Sequence, residues 1–418
     1  MGQVSALMTA SVSVHEVRAA LLTRREIAIF DLRTEAAFAT AHPLFAAQLP
    51  LDRIEIEAQA RVPRQDTLIA LYGDGDQALQ GQTIFERLGY SQVVVLQGGL
   101  EAWRSAGFEL FQDVNSYSKA FGELVEARRH TPSLSAEEVS ALIAAEADIA
   151  IVDARRFDEF RTMSIPTGTS VPGAELVLRV PALAPDANTT VIVNCAGRTR
   201  SIIGTQSLIN AGLPNRVVAL RNGTIGWKLA GQALDSGQDR PAPEVSSKLV
   251  LEARRRAREV AYRAGVRHIG QRELAALSED GSRTLYRFDV RTPEEYRAGH
   301  LPGFRSAPGG QLVQETDFFA PVRGARIVLS DALGARADMT ASWLSQMAWD
   351  VYVLEGATEG QLVTKEHQAL PPRSSVGRYK RPYEGTDASP AATRAYLEWE
   401  YGLVEQLGRD DTHGFFVI

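Results

Sequence analysis

The chain has 418 residues and a single cysteine, Cys195. One cysteine excludes any intrachain disulfide, any multi-cysteine zinc site and any resolving thiol within the chain. Histidine is also scarce: seven residues are scattered singly, none in a His-x2–4-His arrangement. No metal or cofactor is therefore expected. No run of about 18 apolar residues occurs, so no membrane-spanning helix is expected. The N-terminal stretch lacks a basic segment followed by a sustained apolar one, which argues against a signal peptide. Gly2 is followed by Ala6 where a myristoylation site wants Ser or Thr. Net charge is −6, which gives no reason to expect a nucleic-acid or anionic-membrane surface. The expected setting is a reducing cytoplasm, without nucleic-acid or membrane partners.

What is present is ordinary for a globular chain: 44% hydrophobic and 23% charged residues. At about 150 residues per domain, that length predicts two or three domains. Internal similarity decides among them. IAIFDLR (27–33) matches IAIVDAR (149–155), and TLIALYGDGDQALQG (67–81) aligns without a gap on TVIVNCAGRTRSIIG (190–204). VVVLQGGLEAW (93–103) then matches VVALRNGTIGW (217–227). A more diverged copy runs through LYRFDVRTPEEYRAGHLPGF (285–304), RIVLSDALGARADM (326–339) and VYVLEGA (351–357). This alignment sets Tyr72 and Asp331 opposite Cys195, so only the middle unit carries a thiol. Units are expected at 8–112, 128–236 and 262–360, followed by a C-terminal extension, 361–418.

Each unit opens with a capped helix; Ser135 and Glu138 have capping-box spacing. A β-branched strand ending in Asp-x-Arg follows, then the central strand, a loop, a helix and a last apolar strand. Strands alternating with helices predict a parallel α/β sheet, whose ligands bind beyond the carboxyl ends of the strands. Asp113 to His130 connects the first two units, and 235–265 the next two. The second connection ends in the basic helix LEARRRAREVAYRAG, read as a solvated face. After Leu362 the tail (PPRSSVGRYKRPYEG) reads as irregular, until a helix with Tyr396, Trp399, Leu403, Val404 and Leu407 at helical spacing, expected to pack across the other units.

Cys195 opens the loop Cys195-Ala196-Gly197-Arg198-Thr199-Arg200-Ser201, between the strand Val191-Ile192-Val193 and a helix-like segment. A helix N-terminus and neighbouring cations lower a thiol from about 8.5 to roughly 3.5–7.5. That placement predicts a reactive thiolate; a small buried hydrophobe is the bland alternative.

The Asp-x-Arg strand end, the GHLPG-type loop, the strand ending in cysteine and the C-x4-R-S loop resemble the rhodanese superfamily, over about residues 8–360. The resemblance implies three tandem rhodanese-like α/β domains, one active and two inactive, plus a C-terminal helical tail. It implies a sulfurtransferase working through a Cys195 persulfide, taking sulfane sulfur from thiosulfate or a related donor. The acceptor would be cyanide or a thiol, a protein thiol included. Two departures stand out: Gly197 is third in a loop that commonly has Gly fourth, and Met163-Ser164-Ile165-Pro166 replaces the histidine-bearing loop.

For the persulfide, the expected cradle is the backbone of Ala196, Gly197, Arg198, Thr199, Arg200 and Ser201 at the helix N-terminus. Arg200 would reinforce it, Arg198 would take a sulfonate, and Arg155 would either reach the site or hold its loop. Arg221 is placed at the same sheet edge. Ser201 is read as a helix cap or a contact to the sulfur, Trp227 as core or pocket wall, Asp153 and His300 as structural. Two other functions stay open. A persulfide carrier or sulfur-sensing scaffold would load the same thiol. A cysteine phosphatase or arsenate reductase would want its arginine six positions after the cysteine, where this chain has Ser201.

Overall fold

A computed structural model describes residues 10–356, 362–364, 373, 375–384 and 388–418. The first residues of the expected first unit, the end of the third (357–360) and part of the irregular tail lie outside them. Three sheets follow one plan. In the middle sheet the order is Ser133–Leu134, Val217–Leu220, Thr190–Asn194, Ile149–Asp153, Thr169–Ser170, all parallel. The third sheet repeats it with Arg267–Ile269, Asp350–Leu354, Arg326–Ser330, Leu285–Asp289 and Arg305–Ser306. The first has Ser11–Val12, Val93–Leu96, Ile69–Tyr72, Ile27–Asp31 and Ala46–Gln48. It gains a sixth, antiparallel strand, Val322–Arg323, from the third unit. The first and third units are thus joined through backbone hydrogen bonds as well as side-chain packing.

The central strands read as unbroken apolar runs because helices cover both faces of a parallel sheet; Val191, Ile192 and Val193 are each fully buried. Helices open where sequence chemistry expects. Glu138 N–H donates to Ser135 Oγ and Ser135 N–H to Glu138 Oε2, completing the capping box.

Sheet register corrects the alignment of the first repeat. Asp31, Asp153 and Asp289 lie opposite Tyr72, Asn194 and Ser330 respectively. The N–H groups of Leu32, Ala154 and Val290 donate to the carbonyls of those same three residues. The position of Cys195 is therefore occupied by Gly73 in the first unit and Asp331 in the third; Tyr72 matches Asn194. A strand buried on both faces has no polar–apolar alternation to fix its register, so the apolar match slipped by one residue.

The connections are structural parts in their own right. Residues Ser116–Arg129 form a largely buried helix between the first and middle units. The basic helix Ser247–Arg263 buries Ala253, Ala257, Val260 and Ala261 against its neighbours and pairs Arg258 with Asp338 and Glu355. Its arginine face is thus only partly solvated. The C-terminal segment is two helices, Pro390–Tyr401 and Leu403–Asp410. Leu403 and Leu407 join the core shared by the first and third units, while Tyr396 packs on Ile225 of the middle one.

Candidate active site

Cys195 follows directly on the strand Thr190–Asn194 and precedes the helix Thr199–Asn210. The loop is pinned from its far side. The Cys195 carbonyl accepts from the N–H of Thr224 at 2.9 Å and its hydroxyl at 3.0 Å; the Ala196 carbonyl accepts from Ile225 at 3.0 Å. Gly223 permits this approach: at φ +54° it lies so close that a Cβ would sit 2.4 Å from the Cys195 oxygen.

The thiol is 1% exposed, and its Sγ lies 3.4 Å from Ser201 Oγ. Ser201 sits in the first turn of the helix, its hydroxyl donating to the Arg198 carbonyl at 2.8 Å. It is therefore not the cap; that position is Arg198, without a side-chain cap. Burial pushes the Cys195 thiol up, with a smaller push from Asp153, while Arg200 and the Ser201 hydroxyl and amide pull it down. Burial prevails, so the balance is upward from the ordinary thiol value, against the lowering expected from the helix end and the arginines. Helix ends and arginines are visible in a sequence, whereas desolvation is not.

Arg200 faces the sulfur and is held by a two-pronged pair to Glu159, at 2.8 and 2.9 Å. Against its own burial, Glu159 is pulled down to about 2 by Arg200. Arg198 corrects the expectation of a sulfonate ligand. Its guanidinium is buried and engaged with Glu123, Glu126, Asn222 and the Tyr401 hydroxyl. It clamps the loop to the helix Ser116–Arg129, leaving no group to greet a substrate. Arg155 likewise does not line the cleft at Cys195. It grips Asp153 at 2.7 and 2.9 Å and the Met163 carbonyl at 2.6 Å. Arg33–Asp31 and Arg291–Asp289 repeat this arrangement in units without a nucleophile. Its recurrence there assigns it to the fold.

Arg221 reaches Ser133 at the exposed edge. Trp227 is core, donating to the Ala233 carbonyl, and His300 is buried with Nδ1 2.9 Å from the Tyr296 carbonyl.

The cleft over Cys195 is lined by residues 195–200 and by a second group that the repeat pattern did not reveal. Ser118 and Lys119 come from the helix Ser116–Arg129, Gln314 from the third unit, and Tyr383, Tyr396 and Glu400 from the C-terminal segment. The Lys119 ammonium pairs with Asp113 at 3.0 Å and lies 5.1–5.5 Å from the ring centres of Tyr383, Tyr396 and Trp399. A cation surrounded by rings is stabilised by their negative faces. Among the described residues no cluster of His, Cys, Asp and Glu could hold a metal ion. No described helix is long and apolar enough to cross a membrane.

A thiosulfate sulfurtransferase from Pseudomonas aeruginosa is 49% identical, covering 98% of this chain and 100% of its own, with a TM-score of 0.96. Shorter matches include a protein from Anabaena sp., 23% identical over 25% of this chain and 81% of its own, TM-score 0.24. One from Bacillus halodurans is 21% identical over 27% and 85%, TM-score 0.24. No curated protein matches the chain. The rhodanese-like domain family matches residues 13–106, 135–230 and 271–361. The chain belongs to the rhodanese family, with three such domains in tandem.

Proposed function

We propose that the chain is a rhodanese-type sulfurtransferase, taking sulfane sulfur from thiosulfate or a related donor to cyanide or a thiol through Cys195. The observation that carries this reading is one thiol, placed at the carboxyl end of a central strand, against a helix N-terminus and Arg200, inside a small cleft. The near full-length likeness to a thiosulfate sulfurtransferase supports the donor.

In this reading the Cys195 proton passes to solvent, and Arg200, which pulls the thiol down against burial, holds the thiolate that attacks. The Cys195 sulfur attacks the outer sulfur of thiosulfate, the donor's S–S bond breaks, and sulfite leaves with the electron pair. The persulfide's outer charge then rests against the loop amides 196–201 and Arg200. Lys119 and Arg200 supply the positive field for the donor, in place of Arg198. Enclosure of the sulfur favours small donors and acceptors over a protein thiol, which would need the cleft to open.

The test is mass spectrometry of the purified chain after exposure to thiosulfate. One sulfur should be added on the Cys195 peptide and removed by cyanide. Cys195→Ser should carry none and lose thiosulfate:cyanide turnover altogether, since a hydroxyl can hold no persulfide. Turnover equal to that of the unaltered protein in Cys195→Ser would refute the assignment. A covalent intermediate also requires parallel double-reciprocal lines when donor and acceptor are varied.

A further inference from the structure

One wall of the Cys195 cleft comes from outside the three repeats, and it contains an unsatisfied acid. Glu400, on the helix Pro390–Tyr401, is 1% exposed and lines the cleft together with Cys195. Its Oε1 accepts from the Tyr396 hydroxyl at 2.8 Å. Its Oε2 is buried with no hydrogen-bonding partner among the described residues. That oxygen faces the loop after the nucleophile: a Cβ on Gly197 would lie 3.5 Å from it. Leaving a buried polar atom unpaired costs about 1–3 kcal/mol, so one retained in a reaction cleft points to a partner that arrives with the substrate.

The charged groups around Glu400 do not pair with it among the described residues. Lys119 is bound to Asp113, and Arg198 to Glu123 and Glu126. Burial pushes the Glu400 carboxyl up to about 8; Glu123 adds to the push, while Lys119, the Tyr396 hydroxyl and Arg198 oppose it. The group is thus protonated at neutral pH and gives up its proton in the range where thiols ordinarily titrate. A proton-transfer group works best with a pKa near the operating pH.

We propose that Glu400 is a second catalytic residue, a proton shuttle that discharges the Cys195 persulfide to a thiol acceptor. This rests on the persulfide reading above. Protonated Glu400 gives its proton to the outer sulfur of Cys195–S–S⁻, which removes the charge that would repel an anionic nucleophile. The carboxylate then takes the proton of the entering R–SH. The thiolate R–S⁻ attacks the outer sulfur, forming the new S–S bond of R–S–SH. The bond from that sulfur to Cys195 Sγ breaks, and its electron pair leaves on Sγ as the thiolate. Glu400 ends protonated as it began, and no oxidant or reductant is consumed. Hydrogen cyanide sheds its proton to solvent before it enters as the ion, so its discharge needs only the first half of this cycle.

The experiment compares Glu400→Gln with the unaltered chain, using thiosulfate as donor and either 2-mercaptoethanol or cyanide as acceptor. Glutamine keeps the shape and can donate a hydrogen bond, yet it cannot exchange a proton. Persulfide loading, followed by mass spectrometry in a single turnover, should stay within about twofold, which also reports that the cleft is intact. Discharge to 2-mercaptoethanol should fall about 100-fold, the usual scale for general acid–base catalysis, and discharge to cyanide by much less. The limb of the thiol pH profile near 8 should vanish. An unchanged thiol rate and profile would overturn the proposal. So would equal losses with both acceptors, or a loss already present in loading, because each marks a general disturbance of the cleft. Failure of the unaltered chain to take sulfur from thiosulfate would instead bring down the persulfide reading itself.

Discussion

The middle and third units build the same loop around different groups, a thiol and a carboxylate. In the third, Asp331 stands where Cys195 does, and its carboxylate already occupies the cradle. It accepts from the N–H groups of Leu333, Arg336 and Ala337 at 3.1, 2.9 and 3.4 Å. Arg336 closes on it at 2.8 Å and is held in turn by Glu295. Arg336 and Glu295 are the counterparts of Arg200 and Glu159. What the third unit fills permanently with a side-chain carboxylate, the middle unit leaves for a sulfur that comes and goes. The first unit has dropped the device: Gly73, Ala78 and Ala37 occupy the three positions, and Asp74 and Asp76 make the loop acidic. The arginine–glutamate pair is present in the loops that carry Cys195 and Asp331 and absent from the one that carries Gly73.

The strongest break in this comparison is Asp331→Ala. It leaves Arg336, fully buried, without the anion that satisfies it and leaves three backbone donors unpaired. Removing one partner of a buried pair costs about 3–5 kcal/mol; because Glu295 and Glu175 remain on Arg336, a loss near the lower end, about 3 kcal/mol, is expected. Urea unfolding followed by tryptophan fluorescence checks it, since Trp343 and Trp349 lie in the core around the third sheet. Cys195→Ser, which breaks no ion pair, should shift the curve little. Equal shifts for both would mean that the two loops are held by the sheet alone.

Arg200→Ala tests the other half. Arg200 pulls the Cys195 thiol down against burial, so its loss should move the midpoint of Cys195 alkylation to higher pH. Loading from thiosulfate should fall about 100-fold, the scale for removing one aimed donor of a charged site. Arg200→Lys should restore part of both. An unmoved alkylation midpoint would leave the backbone and Ser201 as the sole activators.

Much of this was legible beforehand, and the reasons differ by residue. Three parallel sheets follow from periodicity and repetition, and the lone thiol from its place between a strand and a helix. Two errors have separate causes. Matching Tyr72 to Cys195 relied on apolar residues in a strand buried on both faces, which carries no register; counting from Asp31, Asp153 and Asp289 would have fixed it. Taking Arg198 as a sulfonate ligand read residue type without partners, and its guanidinium is fully engaged; of the two roles open to Arg155, the structure gives it the one that holds the loop. Lys119 and Glu400 left no signal, because they come from a connecting helix and a tail whose pattern records packing only.

Gly73→Cys in a Cys195→Ser background gives the smallest expected effect and the finest distinction. It places a thiol at the corrected position, beyond a parallel strand and ahead of the helix Gln77–Arg87, with the same backbone setting as Cys195. What it lacks is the arginine–glutamate pair, replaced by Ala78 and Ala37, and it has two aspartates beside it. An anionic donor should therefore be repelled, and no sulfur should appear on the peptide spanning position 73 after thiosulfate treatment. The substitution is also crowded: a Cβ there would meet Gln77 Cβ at 2.9 Å and its Oε1 at 2.8 Å. The Gln77 amide can swing aside, but its Cβ is fixed to the helix, so the loop itself must shift and the cost in stability should be that of overpacking, about 1–3 kcal/mol. Sulfur loaded at position 73 would show that a strand end and a helix start suffice, and that Arg200 and Glu159 serve the middle loop in some other way. Adding Ala78→Arg and Ala37→Glu then sharpens the result: loading that appears only with the pair in place assigns activation to it.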